Sequence, residues 1–177
     1  NNPLFMENVI STVENSVSKM NRLLTRMREG VQADSRRMVN LAKLLEEAVH
    51  DARANNPVPV LECAIGDLAV AADRDRLASV MGHVIRNAQD ATSEDGRVTV
   101  RLHKVNGHAV VEVEDTGCGM DEAFIRARLF RPFQTTKGDS GMGIGVYEAR
   151  EFVRSLGGDI QVESKPGKGT IFRIHLP

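Results

Sequence analysis

Only two cysteines, Cys63 and Cys118, occur in the 177 residues, too few and too far apart for a disulfide framework or a thiolate zinc site. No apolar run approaches the roughly 20 residues needed to cross a bilayer, so this stretch of protein is expected to make no membrane contact. An excess of one charge is missing too. The 23 basic and 24 acidic side chains leave a net charge of -1, which removes the electrostatic drive toward a nucleic-acid partner. No repeat, low-complexity tract or cleavable apolar signal is visible, and a reducing cytoplasmic setting is the expectation. The chain opens on Asn1-Asn2-Pro3 without methionine, which reads as a piece of a longer protein whose upstream part carries any targeting information. What is present is 41% hydrophobic and 27% charged, the composition of about one globular domain with a short appendage.

Glycine divides the chain: none precedes Gly30, and most follow Gly96. Asn2 and Pro3 read as an N-cap and first helical residue. The apolar residues Met6, Ile10, Val13, Val17, Met20, Leu24, Met27 and Val31 then fall at alternating steps of four and three, a coiled-coil seam. So narrow a stripe favours pairing with another helix over packing on its own domain. The polar stretch from Gln32 to Arg37 is the expected boundary. Beyond it, a second amphipathic helix is predicted from about Leu41 to Ala54, stopped at Asn55-Asn56-Pro57. Val58 to Ile65 reads as a strand kept to an edge by Pro57 and Pro59, and Ala69 to Ala72 as another short one. Asp73 to Ala91 has helical spacing. Arg97–Val105 and His108–Glu114 alternate around Asn106-Gly107, a strong hairpin signal. Val146 to Leu156 is a helix ended by Gly157-Gly158, and Ile160–Ser164 with Gly169–Leu176 form a closing hairpin. The pattern predicts an α+β fold with a mixed sheet covered by helices on one face.

Three segments carry chemistry. Asp115-Thr116-Gly117-Cys118-Gly119 follows a strand, where a carboxylate can accept a hydrogen bond from an amino group such as adenine's, while Gly117 and Gly119 let a flat ring approach the backbone. Taken alone, a tight turn with a solvated aspartate is the simpler reading. Gly141-Met142-Gly143-Ile144-Gly145 stands directly before a helix, so its N–H groups and the helix dipole make an anion cradle. It has neither dinucleotide-fold nor P-loop spacing, and a flexible hinge is the alternative. On the helix before the first hairpin, His83 and Asn87 share a face. The Asn87 amide oxygen is a hard ligand suited to Mg²⁺ that already carries nucleotide phosphates, although a polar helical residue is more often merely solvated.

In this order, the three blocks resemble the ATP-binding domain shared by bacterial sensor histidine kinases, gyrase and the mismatch-repair ATPase MutL. Leu129-Phe130-Arg131-Pro132-Phe133-Gln134-Thr135-Thr136-Lys137 resembles the phenylalanine box of the kinases, and Gly158 to Thr170 their closing hairpin. The resemblance runs from about Val39 to Pro177. It implies a two-layer α/β sandwich over residues 38–177, preceded in residues 1–37 by the second helix of a dimerisation hairpin plus linker. It also implies ATP and Mg²⁺ as cofactors. Asn87 would hold the metal and Asp115 the adenine amine, supported by Thr170. Gly141, Gly143 and Gly145 would wrap the triphosphate, with Thr136 and Lys137 beside it, while Phe130 and Phe133 anchor that segment. His83 stands where gyrase and MutL resemble one another in carrying a glutamate. This favours phosphoryl transfer to a protein over hydrolysis, with His83, Asn87 and Lys137 as the catalytic set. Asp90 departs from the pattern, because several kinases place a basic residue near that point.

The implied activity is transfer of the γ-phosphoryl group to a histidine upstream of Asn1, in a protein that dimerises through the hairpin and serves a response regulator. His50-Asp51 looks superficially like an acceptor but lacks its apolar flanks. The alternatives are a non-catalytic ATP-sensing module and an ATP-hydrolysing clamp in which His83 activates water. Whether the full-length protein is anchored in the inner membrane stays open.

Overall fold

A computed structural model describes residues 36–63, 67–134 and 143–177. Contacts divide the chain into Asn1–Ser35 and Arg36–Pro177. The seam helix read from Pro3 to Val31 lies outside the described residues, all of which belong to the second unit.

The elements of this unit run β1 (Arg37–Asn40), α1 (Leu41–Ala52), β2 (Val60–Cys63), β3 (Ala69–Ala72), α2 (Arg74–Ala91), β4 (Val98–Val105), β5 (His108–Asp115), α3 (Glu122–Ala127), α4 (Gly145–Ser155), β6 (Asp159–Lys165) and β7 (Gly169–Leu176). Five strands form one mixed sheet in the order β2-β4-β5-β7-β6, with β2 parallel to β4 and the rest antiparallel. As the prolines before it suggest, β2 lies at an edge. Asn106 and Gly107 both take positive φ, the backbone a two-residue hairpin turn needs for its twist to match the strands.

Strand alternation sets the layers. Along β7, Thr170, Phe172, Ile174 and Leu176 are buried, whereas Ile171, Arg173 and His175 between them are only partly so. Helices cover the buried face. From α2 come Leu77, Met81, Val84, Ile85 and Ala88, and from α1 Leu41, Leu44 and Leu45, all within one apolar core with Val100, Leu102, Val111 and Val113 of the sheet. Each such leucine or isoleucine contributes about 1.5–3 kcal/mol by leaving water. The opposite face is a ladder of ion pairs across the strands: Arg101 meets Glu62, Glu112 and Glu114, and Arg173 meets Glu112 and Glu163. Burial acts to raise the Glu112 carboxyl, but the two guanidinium groups outweigh it and hold the group below the usual carboxylate range.

Two elements differ from the sequence reading. Arg37–Asn40, expected to fall at the end of the linker and the start of the domain, is β1, paired antiparallel to β3 with Val39 opposite Val70 in a separate two-stranded sheet. Its composition carries no strand signal, so the pairing makes the strand. The helix α3 was not anticipated either; no residue in it is buried, so it shows no apolar stripe.

Behind the sheet's edge, the loop from α1 to β2 is tied to α2 by Gln89, 3% exposed, whose Nε2 faces the carbonyls of Ala52, Asn55 and Pro57 at 3.0, 2.9 and 3.1 Å. With two hydrogens, this buried amide supplies the Asn55 and Pro57 carbonyls, while the Ala52 carbonyl also accepts from the Asn55 N–H within the loop.

Candidate nucleotide site

Asp115, the last residue of β5, is only 4% exposed. Ionised carboxylates are rarely buried unless hydrogen-bonded. Here Oδ1 accepts from the backbone N–H of Gly117 at 2.9 Å and from that of Thr170, its cross-strand partner on β7, at 3.2 Å. Burial pushes the carboxyl above its ordinary value, and these two N–H groups act against the shift. Both donors go to Oδ1, so Oδ2 is the atom left to meet a donor from a ligand.

Thr170 is fixed in turn. Ser164 Oγ lies 2.9 Å from the Gly169 carbonyl, an acceptor that takes its single proton, so Thr170 Oγ1, also 2.9 Å away, is the donor to Ser164. The lone pairs of Thr170 Oγ1 remain available. Ser164 further accepts from the Met120 N–H at 2.8 Å, which joins the loop after β5 to the β6–β7 hairpin. Sequence reasoning missed Ser164, because its partners depend on the register of that hairpin.

The loop is held by backbone contacts that leave no room for a side chain at Gly117 or Gly119. Gly119 has φ +66, and a Cβ there would lie 2.0 Å from the Lys165 carbonyl oxygen. Cys118 donates to the Ala91 carbonyl at the end of α2 and accepts from the Gly167 N–H. Gly117 packs against Ala91 behind Asp115, so the space its missing side chain frees is filled by protein.

Asp115, Thr170 and Gly119 open onto a cavity of about 400 Å³, within the usual range for small-molecule sites. Asn87 lies on its wall, and so do Gly143, Gly145 and Val146 at the start of α4. That end of α4 is unlike the other helix starts. Asn40, Asp73 and Asp121 cap α1, α2 and α3 with side-chain oxygens, whereas Ile144 gives α4 no side-chain cap. The first N–H groups of α4 therefore receive no side-chain oxygen from their N-cap residue at the point where the helix meets the cavity. Apolar Met120, Phe124, Leu129 and Phe172 complete the wall, and Gln134 joins it.

Of the residues singled out in the sequence, Asn87, Asp115, Gly119, Gly143, Gly145 and Thr170 thus share one cavity. His83 is not on its wall: its ring packs against Gly145, where a Cβ would approach its Cδ2 to 2.5 Å, and its Nδ1 lies 3.3 Å from the Ser79 carbonyl. Thr136, Lys137 and Gly141 lie outside the described residues. Phe130 is partly buried against the core, while Phe133 is 54% exposed.

Residues 72–177 match the family model of the histidine kinase-, DNA gyrase B-, and HSP90-like ATPases. The sensor protein FixL of Bradyrhizobium diazoefficiens is 30% identical over 181 residues, covering 97% of this chain and 35% of its own length. The C4-dicarboxylate transport sensor protein DctB of Rhizobium meliloti is 41% identical over 106 residues, covering 59% of this chain and 17% of its own. The chain therefore spans about a third or less of these relatives. Among solved structures, the catalytic domain of histidine kinase ThkA superposes with TM-score 0.69 at 27% identity, covering 81% of this chain and 95% of that one. ThkA in complex with response regulator protein TrrA gives TM-score 0.70 at 24% identity, with coverage of 100% and 52%, a likeness of fold. With the family match extending over more than half its length, the chain belongs to the histidine kinase-, DNA gyrase B-, and HSP90-like ATPases and is homologous to the sensor histidine kinases among them.

Proposed function

We propose that this chain carries the ATP-binding catalytic domain of a two-component sensor histidine kinase, over residues 38–177, with the seam helix as the second helix of a dimerisation hairpin. The observation that carries the reading is one cavity with a buried hydrogen-bond acceptor at Asp115 and, at Gly143–Val146, a helix N-terminus whose N-cap residue Ile144 offers no capping side chain. Adenine fits the first and phosphate the second. Asp115 Oδ2 accepts from the exocyclic amine, and Thr170 Oγ1 offers a lone pair beside it. The N–H groups at the start of α4 orient the phosphate chain.

The donor set also fits Mg²⁺. No group of three or more His, Cys, Asp or Glu that could hold a metal occurs among the described residues. A single amide oxygen, that of Asn87, is in keeping with an ion that arrives largely coordinated by phosphate and water. When bound, Mg²⁺ neutralises charge on the transferring phosphate. The protein's own share is to fix the nucleotide so that its terminal phosphoryl group faces an acceptor, and positioning of this kind is the main protein contribution to phosphoryl transfer. By resemblance, Thr136, Lys137 and Gly141 join the phosphate contacts and Lys137 acts as a point charge.

The acceptor in this reading is a histidine outside the present sequence. His50 lies in the last turn of α1, His83 packs on Gly145, and His103, His108 and His175 belong to strands. A response regulator is the downstream partner, and the cytoplasm, where ATP is available, is the setting. No described helix is long and apolar enough to cross a membrane.

The experiment is to incubate the chain with labelled Mg-ATP and a separate polypeptide bearing a histidine-containing helical hairpin. Acid-labile, base-stable label should pass to the hairpin, and Asn87→Ala should abolish it. ADP release without any phosphoprotein would make the protein a hydrolytic clamp. Nucleotide binding with neither product would make it a sensing module.

A further inference from the structure

The wall of the cavity between α3 and α4 is anchored to the core mainly by side chains that are only partly buried, Phe124, Ile125 and Phe130. No residue of α3 is buried, and of the described stretch from 128 to 134 only Leu129 is. That stretch turns sharply: Phe133 has φ +65, a conformation costly for a bulky side chain, while its N–H bonds the Gly143 carbonyl at 2.9 Å. Leu129 and the partly buried Phe130 anchor it to the core, and a contact from outside the stretch adds to that hold.

Helix α4 supplies that contact. The guanidinium carbon of Arg150 lies 4.1 Å from the centroid of the Phe130 ring, a cation over an aromatic face. On its other side, Arg150 Nε donates to Asp159 Oδ1 at 3.0 Å. Arg154, one turn further along the same helical face, donates to the same oxygen at 3.1 Å. Asp159 reaches both because the chain reverses at Gly157, with φ +89, and Gly158 passes so close to the His175 carbonyl that a Cβ would sit 2.0 Å from it. The two arginines hold the Asp159 carboxyl down at about 2, with Arg150 the larger cause, so the pair stays ionised through the physiological range.

We propose that Arg150 is a positioning residue for the nucleotide cavity: clasped between Asp159 and the face of Phe130, it holds in place the stretch that carries the wall residues Leu129 and Gln134. Arg150 does not itself line the cavity. It acts through Phe130, so its loss should weaken every nucleotide that touches that wall to the same degree. The inference rests on the nucleotide reading of the cavity.

The test uses calorimetric titration of the full chain with Mg-ADP and Mg-ATP. Arg150→Met should weaken both nucleotides alike, by roughly three- to tenfold, the scale of one partly desolvated cation–π contact. Arg150→Lys, which keeps a cation over the ring, should recover part of that loss. Phe130→Leu should weaken binding similarly, and Arg150→Met added to it should cost little more, because both remove one contact. Arg154→Met, which shares Asp159 without touching Phe130, should bind as the wild type does. If Arg150→Met fails to fold, Phe130→Leu and Arg150→Lys decide, since wild-type affinity in both overturns the proposal. Unchanged affinity in Arg150→Met, additive losses in the double variant, or a larger loss for ATP than for ADP would overturn it as well, the last by making Arg150 a phosphate contact. A wild type that binds neither nucleotide would instead remove the nucleotide reading itself, and this proposal with it.

Discussion

Asp115 combines two properties that ordinarily conflict, near-complete burial and a charge, and separating their effects distinguishes a binding residue from a structural one. Because its carboxyl is raised above the ordinary 3.8, the unfolded chain releases that proton more readily than the folded chain does. Stability is therefore lost as pH rises through the window from 3.8 to the raised folded value, and the penalty is complete above it. In Asp115→Asn, the amide oxygen can still accept from Gly117 and Thr170, while the buried charge is gone. Thermal denaturation at about pH 7 should show a midpoint equal to or above the wild type's, with the difference shrinking as pH falls toward 3.8. Nucleotide affinity should fall about ten- to a hundredfold, because a donor then faces the adenine amine. A clear loss of stability at neutral pH would recast Asp115 as a structural residue. At the same scale, Gly145 and His83 are coupled through space. Gly145→Ala should destabilise the protein by about 1–3 kcal/mol, because the new methyl meets the imidazole, and His83→Ala should relieve most of that cost. Denaturant titration of the two single variants and the double variant measures the coupling, and simple additivity would exclude the contact.

Among the elements, α2 works on both of its sides. One presents Asn87 and Ala91 to the cavity, and the other holds the α1–β2 loop through Gln89. Gln89→Leu keeps the volume but leaves the carbonyls of Asn55 and Pro57 without the donor, and should cost about 2–3 kcal/mol. The expected signature is a lower denaturation midpoint with nucleotide affinity unchanged in the native baseline. A fall in affinity without a fall in stability would mean that the loop communicates with the site. The contrast between α2 and α3 also explains what could be read ahead of the structure. Leu77, Val80, Met81, Val84, Ile85 and Ala88 mark α2 by periodicity, whereas the six residues of α3 pack only Phe124 and Ile125, partly buried, against the core, too few to show a helical period.

For the molecule as a whole, the division at Ser35 gives the second unit its own core, formed by α1, α2, α4 and the inner face of the five-stranded sheet. A chain beginning at Arg36 should therefore unfold cooperatively and keep nucleotide affinity within about twofold of the longer chain, as a domain with its own core does. Circular dichroism melting with calorimetric titration checks this. A shortened chain that fails to fold would show that residues before Arg36 complete the core.

Much of this architecture was legible in the residues themselves. Alternating strands, the Asn106-Gly107 turn and the period of α2 are local regularities, and the two glycine motifs placed Asp115, Gly119, Gly143 and Gly145 at element ends where a ligand can approach. Those features are determined by sequence alone because each depends on neighbours a few positions away. Three others do not. β1 is a strand only because β3 lies beside it, Ser164 meets Thr170 and Met120 only in the register of the closing hairpin, and Arg150 finds Phe130 and Asp159 only once α4 packs between them. His83, expected beside Asn87 in the catalytic set, has its ring packed on Gly145 and off the cavity wall, because sharing a helical face with Asn87 does not specify which neighbour fills the space beside it. Most of these contacts join residues far apart in the chain, and the two that do not, Ser164 with Thr170 and Arg150 with Asp159, depend on a hairpin register and on how a helix end meets a strand, so their partners exist only after the sheet and helices have come together, and tertiary structure decides them.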